Sequence, residues 1–213
     1  MIIRWVNYRK REVIRKSTGA ENIIAFYHPF TNACGGGEKV FFLALSSIAD
    51  IIRETNCKVV VYTVEELDAD QIIRKAQSMF NFKLRVNIQL IRIKKRYFTD
   101  QSSMVKLSLL SQALGNIVSV VEALTAYPPD IFIDTIGVGF SYPFVKILCP
   151  SVKLISYTHY PFIQEDMLGR ARTLFKKYYY NTMLILYKCV GQFADLILAN
   201  STWTNNHLCR LWR

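Results

Sequence analysis

The sequence predicts an α/β chain, a doubly wound and mostly parallel sheet with helices on its faces. Short, almost continuous apolar runs recur along it, as expected of strands buried on both faces. Longer stretches of helical periodicity lie between those runs, and strand followed by helix, repeated, is the signature of a layered α/β fold. The 213 residues are 51% hydrophobic and 20% charged, enough apolar material for a sizeable core. That composition excludes disorder, a collagen-like repeat and a disulfide miniprotein. No internal repeat, low-complexity tract or obvious linker interrupts the chain, so a single main domain is expected.

In chain order, residues 4–16 come first, a basic segment with Arg4, Arg9, Lys10, Arg11, Arg15 and Lys16. Its apolar start is too short for a signal peptide. It has the character of a basic flank after a membrane anchor, and is set apart as an appendage. Residues 23–28 form the first apolar run, closed by Pro29. Phe41, Ala44, Leu45, Ile48 and Ile52 then follow helical spacing. Residues 58–63, with Val59, Val60 and Val61, make a second strand. Residues 86–93 alternate partly and make a third. Residues 105–126 are a long amphipathic stretch. Strands follow at 130–134 and 152–157, then a Tyr- and Leu-rich helical stretch at 174–193. A last strand at 196–199 leads into a helix over 201–211 with Ser201 as its N-cap. No run of about 18 apolar residues is free of charge, so no membrane-crossing helix is expected.

The net charge of +11 suits an anionic partner such as phosphate, nucleic acid or an acidic membrane face. The basic residues are scattered and no RNA-recognition, KH or zinc-finger signature is present, so nucleic acid is not expected. Cys34, Cys57, Cys149, Cys189 and Cys209 are widely spaced, with no Cys-x-x-Cys, and are expected as free thiols in a reducing compartment.

Three stretches have the residue types for chemistry. Residues 27–40 read Tyr-His-Pro-Phe-Thr-Asn-Ala-Cys-Gly-Gly-Gly-Glu-Lys-Val and run from the first strand into the first helix. Gly35, Gly36 and Gly37 let backbone N–H groups approach a ligand, and a helix N-terminus favours phosphate. The alternative is a tight turn with no ligand. Neither the dinucleotide Gly-x-Gly-x-x-Gly nor the P-loop Gly-Lys-Ser/Thr is present. His159 follows a strand, at the edge where parallel sheets bind ligands. It is a base, a hydrogen-bond donor or an orienter there, or else a structural histidine held by backbone groups. Asn200, Ser201 and Thr202 either line a cleft or cap the last helix.

Asp68 and Asp70 have metal-pair spacing, but they precede a helical pattern, where capping is the simpler role. Lys95 and Arg96, followed by Tyr97 and Phe98, suit a phosphate or an anionic bilayer, or a solvated edge. Arg170, Arg172, Lys176 and Lys177 precede Tyr178, Tyr179 and Tyr180 on an apolar helix. Such a collar suits either a membrane interface or packing against a second domain.

Taken together, residues 28–40, Lys95-Arg96-Tyr97, residues 130–134, Tyr157-Thr-His159-Tyr160-Pro161 with Asp166, and residues 200–207 resemble one family. It comprises the N-terminal domains of the GDP-mannose-dependent α-1,2-mannosyltransferases of dolichol-linked oligosaccharide synthesis, GT-B glycosyltransferases of family 4. The resemblance runs from about residue 22 to residue 213. It implies a Rossmann-like, acceptor-side domain over 22–213, a basic juxtamembrane segment over 1–21 with its anchor largely missing, and a C-terminal donor domain outside this sequence. It implies transfer of mannose with retention from GDP-mannose to a dolichyl-diphosphate-linked trimannosyl oligosaccharide, with no metal or other cofactor. The place implied is the cytosolic face of the endoplasmic reticulum membrane, with other mannosyltransferases of the pathway as possible partners.

Carried over by position, Gly35, Gly36, Gly37 and Glu38 belong to the donor diphosphate site, Glu38 by capping or orienting the helix behind the loop. His159 takes the place of the family's active-site histidine. Lys95, Arg96, Asp134, Tyr160 and Asp166 fall on the acceptor or membrane side. Cys34 stands where the family has the first of four glycines, and its Cβ narrows the backbone choices of the loop. The chain alone is expected to lack activity. A non-catalytic module that binds membrane and acceptor is the competing reading.

Overall fold

A computed structural model describes residues 2–33, 35–81, 86–94, 108–164, 166–169 and 171–212. Among the described residues six parallel strands form one sheet: β1 (Asn22–Tyr27), β2 (Cys57–Thr63), β3 (Ile88–Arg92), β4 (Ile131–Asp134), β5 (Lys153–Thr158) and β6 (Leu196–Ala199). Their order is β3-β2-β1-β4-β5-β6, a Rossmann-like arrangement. All six strands coincide within a residue or two with the apolar runs. The chain leaves β1 towards β2 on one side and returns to β4 on the other, so the strand order reverses between β1 and β4. In a parallel sheet that reversal opens a crevice at the carboxyl edge.

The period-two alternation of β1 explains why it sits at the centre. Ile23, Ala25 and Tyr27 point into one core, and Ile24 and Phe26 into the other. The second core lies under α2 (Gly36–Ser47), α3 (Ala49–Glu54) and α4 (Ala69–Phe80), where Phe26, Phe41, Phe42, Val61 and Ile72 pack together. The first lies under α5 (Ser108–Ala126), α6 (Tyr142–Leu148), α8 (Leu174–Gly191) and α9 (Thr202–Trp212), built on Tyr62, Phe132, Leu154, Tyr187 and Trp212. Each fully buried large side chain contributes about 1.5–3 kcal/mol. A one-turn helix, α7 (Asp166–Gly169), precedes α8.

Helix ends follow the sequence signals. Asp68 is the N-cap of α4, accepting from Gln71 N at 2.8 Å, while Gln71 Oε1 accepts from Asp68 N at 3.2 Å. This reciprocal box is the capping role expected of that acidic pair. Ser201 caps α9 by accepting from Thr204 N at 3.2 Å. α5 is long and apolar enough to cross a membrane; Ala113, Val120, Ala123 and Leu124 line one side of it against the core, while Leu110 and Leu114 are exposed. Cys57, Cys149, Cys189 and Cys209 are free thiols, and Cys34 lies outside the described residues.

Two elements depart from the expectations. The basic segment at the start is no loose appendage. Residues Ile2–Thr18 form a helix, α1, docked on the body. Arg11 is buried against Asp130 at 3.3 Å and donates to Pro129 O, and Asn7 reaches Leu148 O. A charged residue in the middle of a basic run carries no pattern that announces burial; its partner is 119 positions away. The short helix α6 was also not foreseen, because Pro143 at its first turn masks the periodicity.

Candidate functional site

The crevice predicted by topology is a real cleft of about 260 Å³. One wall comes from the segment after β1, Tyr27 to Phe30. The next comes from Thr135, Ile136 and Val138 after β4. Gly37 and Glu38 at the start of α2, Gln112 and Asn116 of α5, and His159 after β5 complete it. The glycine turn and His159 therefore border one space. A Cβ placed on Gly36 would lie 3.9 Å from His159 Cε1 and 4.0 Å from Nε2.

The turn is built to point backbone donors at that space. Gly35 is the N-cap of α2 with extended backbone. The first intrahelical bond runs from Lys39 N to Gly35 O at 3.1 Å, so the N–H groups of Gly36 and Gly37 come ahead of it. The Gly35 N–H is taken by Glu38 Oε2 at 2.6 Å, so Glu38 caps the helix from its third position. The loop before the glycines is pinned from two sides. Lys75 of α4 donates to Asn32 Oδ1 at 2.7 Å, and Thr31 Oγ1 meets Thr63 Oγ1 at 3.2 Å.

His28 ties the turn to the sheet. Its ring lies flat on Phe41, 4.5 Å between centroids and 6° from parallel. Thr135 Oγ1 donates to Tyr27 O at 2.8 Å, so its contact with His28 Nδ1 at 2.7 Å makes that nitrogen the donor. The other nitrogen, Nε2, faces Glu38 Oε1 at 3.5 Å. The histidine holds the Glu38 carboxyl below its ordinary value, chiefly by hydrogen bonding, against the opposing effect of burial. This connects β4, β1 and the glycine turn through Thr135, His28, Glu38 and Gly35.

His159 is exposed at the mouth, not buried as a structural histidine. Asn200 Nδ2 lies 3.5 Å from its Nδ1. With Nδ1 accepting from Asn200, Nε2 is the nitrogen left to donate, on the edge that faces Gly36. A ligand oxygen between turn and ring thus meets backbone N–H groups on one side and an imidazole N–H on the other.

Asp134, expected on the acceptor side, is turned inward and only 1% exposed. It accepts from Ile136 N and from Tyr142 Oη, both at 2.8 Å, and burial pushes its carboxyl up. Its role is to shape the loop that follows β4. Gly137 and Gly139 in that loop have φ of +74° and +79°, and a Cβ on Gly137 would fall 2.7 Å from Thr158 Oγ1. Tyr160 is exposed and stacks on Trp203 of α9 at 5.6 Å. Asp166 opens α7, with its side chain outside the described residues, as are Lys95 and Arg96.

Sequence reasoning named His28 only as part of the 27–40 stretch, with no role of its own, and did not single out Thr135, Gln112 or Asn116. Two signals were available: Gly-Val-Gly directly after a strand, and Gln112 and Asn116 four apart on an otherwise apolar stretch. Among the described residues no group of three His, Cys, Asp or Glu side chains converges.

Against known proteins, a family model described as the ALG11 mannosyltransferase N-terminus matches residues 21–212. The chain is 34% identical over 213 residues to a GDP-Man:Man(3)GlcNAc(2)-PP-Dol alpha-1,2-mannosyltransferase of Dictyostelium discoideum, covering 91% of this chain and 42% of that protein. It is 34% identical to the protein of that name from Candida glabrata, covering all of this chain and 43% of the relative. For the one from Eremothecium gossypii the identity is 37%, over 89% of this chain and 34% of the relative. The chain thus spans less than half the length of these relatives.

Proposed function

The chain belongs to the family of ALG11 mannosyltransferase N-termini, and from that premise we propose that it is the acceptor-side half of a GT-B mannosyltransferase. The reaction is transfer of mannose from GDP-mannose to a dolichyl-diphosphate-linked Man3GlcNAc2 oligosaccharide, with α-1,2 linkage and retention, on the cytosolic face of the endoplasmic reticulum. The observation that carries the reading is the shared cleft at the strand-order reversal, with the Gly35–Gly37 turn on one side and His159 on the other.

Mannosyl transfer needs a leaving diphosphate stabilised and an oxocarbenium-like sugar held against one hydroxyl. The N–H groups of Gly36 and Gly37, at the positive end of the 12-residue α2, suit the growing charge on the diphosphate. They are fixed before the reaction because Glu38 and His28 hold the turn. In this reading His159 Nε2 donates to an oxygen of the reacting sugar or the phosphate beside it. The apolar walls, Phe30, Ile136 and Val138, exclude water from that point. No step in this scheme calls for a metal or other cofactor. A second lobe is needed to grip the nucleotide and close the cleft.

The test is a transfer assay with two proteins: this chain alone, and a chimera in which it replaces the matching part of the Dictyostelium discoideum relative. GDP-mannose and a lipid-linked trimannosyl acceptor are the substrates. The chain alone gives negligible turnover, the chimera turns over, and His159→Ala in the chimera lowers kcat/KM by about 100-fold. A folded chimera without transfer, or an unaffected His159→Ala variant, refutes the proposal.

A further inference from the structure

At the carboxyl edge of β5 and β6 two large aromatic rings stand side by side in solvent. Tyr160 directly follows His159 of the cleft, and Trp203 is the second residue of α9. They are 58% and 51% exposed, yet their rings are stacked, 5.6 Å between centroids and 20° from parallel. Trp203 stacks in turn on His207, at 5.5 Å and 16°. His207 is buried and its Nε2 donates to Ile163 O at 3.1 Å, so the pair rests on a fixed base. The first turn of α9 is also tied to the cleft. Thr204 Oγ1 donates to Asn200 Oδ1 at 2.8 Å, and the amide of the same Asn200 reaches His159 Nδ1. Rings that served only the core would be covered; these two are held in place beside His159 and left half open.

The charge around them decides what they suit. The protein carries a net charge of +11, but residues 154–164 and 196–209 contain no Asp, Glu, Lys or Arg. Arg210 lies in the last turn of α9, about two turns from Trp203. The exposed neighbours Asn200, Ser201, Thr202 and Asn206 are amides and hydroxyls. Such a surface holds no cation for a phosphate or an acidic headgroup. Half exposed, the two rings offer roughly 200 Å². That is well short of the roughly 800 Å² that each partner gives to a stable protein interface. Leu196 and Leu198 do not extend the patch. Ile197 and Ala199 pack in the core under α9, so alternation turns the two leucines to the other face of the sheet. A pyranose ring fits what remains. Its C–H face is drawn to the negative face of an aromatic ring, its hydroxyls meet amides and hydroxyls at the rim, and it is uncharged.

We propose that Tyr160 and Trp203 form a sugar-stacking platform outside the cleft, seating a neutral hexose ring of an oligosaccharide whose end reaches His159. The cleft, at about 260 Å³, is smaller than the roughly 300–1,000 Å³ of sites that enclose a drug-sized ligand. An oligosaccharide that reacts in it keeps further rings outside the mouth, and on the His159 side the platform is there to meet them. That this oligosaccharide is the mannosyl acceptor rests on the proposed transferase reading; the stacking surface rests on its own rings.

The 213-residue chain is titrated with free Man3GlcNAc2 oligosaccharide at millimolar concentration. Saturation-transfer NMR, with the aromatic protons irradiated, reads contact with the sugar C–H groups. Binding is expected for the parent and for Tyr160→Phe, which keeps the ring. It is expected to weaken about tenfold in Tyr160→Ala and in Trp203→Ala. Should Trp203→Ala unfold, the Tyr160→Ala and Tyr160→Phe pair carries the comparison alone. In the chimera, Tyr160→Ala is expected to raise KM for the lipid-linked acceptor about tenfold and to leave KM for GDP-mannose unchanged, a split that a merely structural role would not give. Absence of saturation transfer overturns the proposal, as does binding that ignores both alanine substitutions or an unchanged acceptor KM. So does a Trp203→Ala variant that destabilises the chimera more than the chain alone, which would make the rings a contact with the second lobe. The titration contains no donor and needs no transfer, so it fails or stands separately from the transferase reading.

Discussion

Coupling between His28 and Glu38 is the most exposed prediction of the cleft's architecture. Glu38→Gln removes the charge-assisted bond to Gly35 N–H at 2.6 Å and the carboxylate facing His28 Nε2 at 3.5 Å. The first loss costs about 1 kcal/mol, because Gly35 sits at an exposed helix end. The second removes the carboxylate that faces the buried Nε2, about 1–3 kcal/mol, the side chains of His28 and Glu38 being only 7% and 13% exposed. Together the loss is about 2–4 kcal/mol, or roughly 5–15 °C in Tm for a domain of this size. His28→Asn keeps a donor for Thr135 but gives up the ring nitrogen that faces Glu38. In a double-mutant cycle followed by urea unfolding, the two substitutions are expected to couple by about 1–2 kcal/mol. Additivity within about 0.5 kcal/mol would refute the relay from Thr135 through His28 to the glycine turn.

The same pair fixes a pH dependence. His28 holds the Glu38 carboxyl below its ordinary value of 4.5, so the unfolded chain takes up that proton first as pH falls. The pair's contribution is complete above that ordinary value and is lost as pH drops through the lowered one. Tm plotted against pH should therefore fall less steeply below about pH 4.5 in Glu38→Gln than in the parent; parallel acid limbs would contradict this. A contrast of glycines probes packing. A Cβ on Gly191 would fall 2.1 Å from Trp212 Cγ, so Gly191→Ala should cost about 3 kcal/mol or more. Gly37 has nothing within 4 Å of its Cβ direction, and Gly37→Ala should stay within about 0.5 kcal/mol in the same unfolding assay.

The sheet was legible because β1 and β2 are buried on both faces, which forces continuous apolar runs. The glycine turn and His159 were legible because each directly follows such a run, and a parallel sheet exposes those positions at its ligand edge. The partners that make the turn work were not. His28 and Thr135 meet across 107 positions, and nothing local marks either as half of a pair. Asp134 shows the opposite error. The family resemblance put it on the acceptor side, but Tyr142 Oη and Ile136 N claim its carboxylate. The docking of α1 escaped for the same reason, since a run of cations looks solvated until Asp130 is brought beside Arg11.

The central claim is that the glycine turn and His159 grip one diphosphate between them. Calorimetric titration of the chimera with GDP-mannose tests it most directly, comparing the parent with Gly36→Val, whose side chain would enter the gap in front of His159. A Kd raised about tenfold or more with the fold intact is the predicted result. An unchanged Kd would place the diphosphate elsewhere and contradict the account.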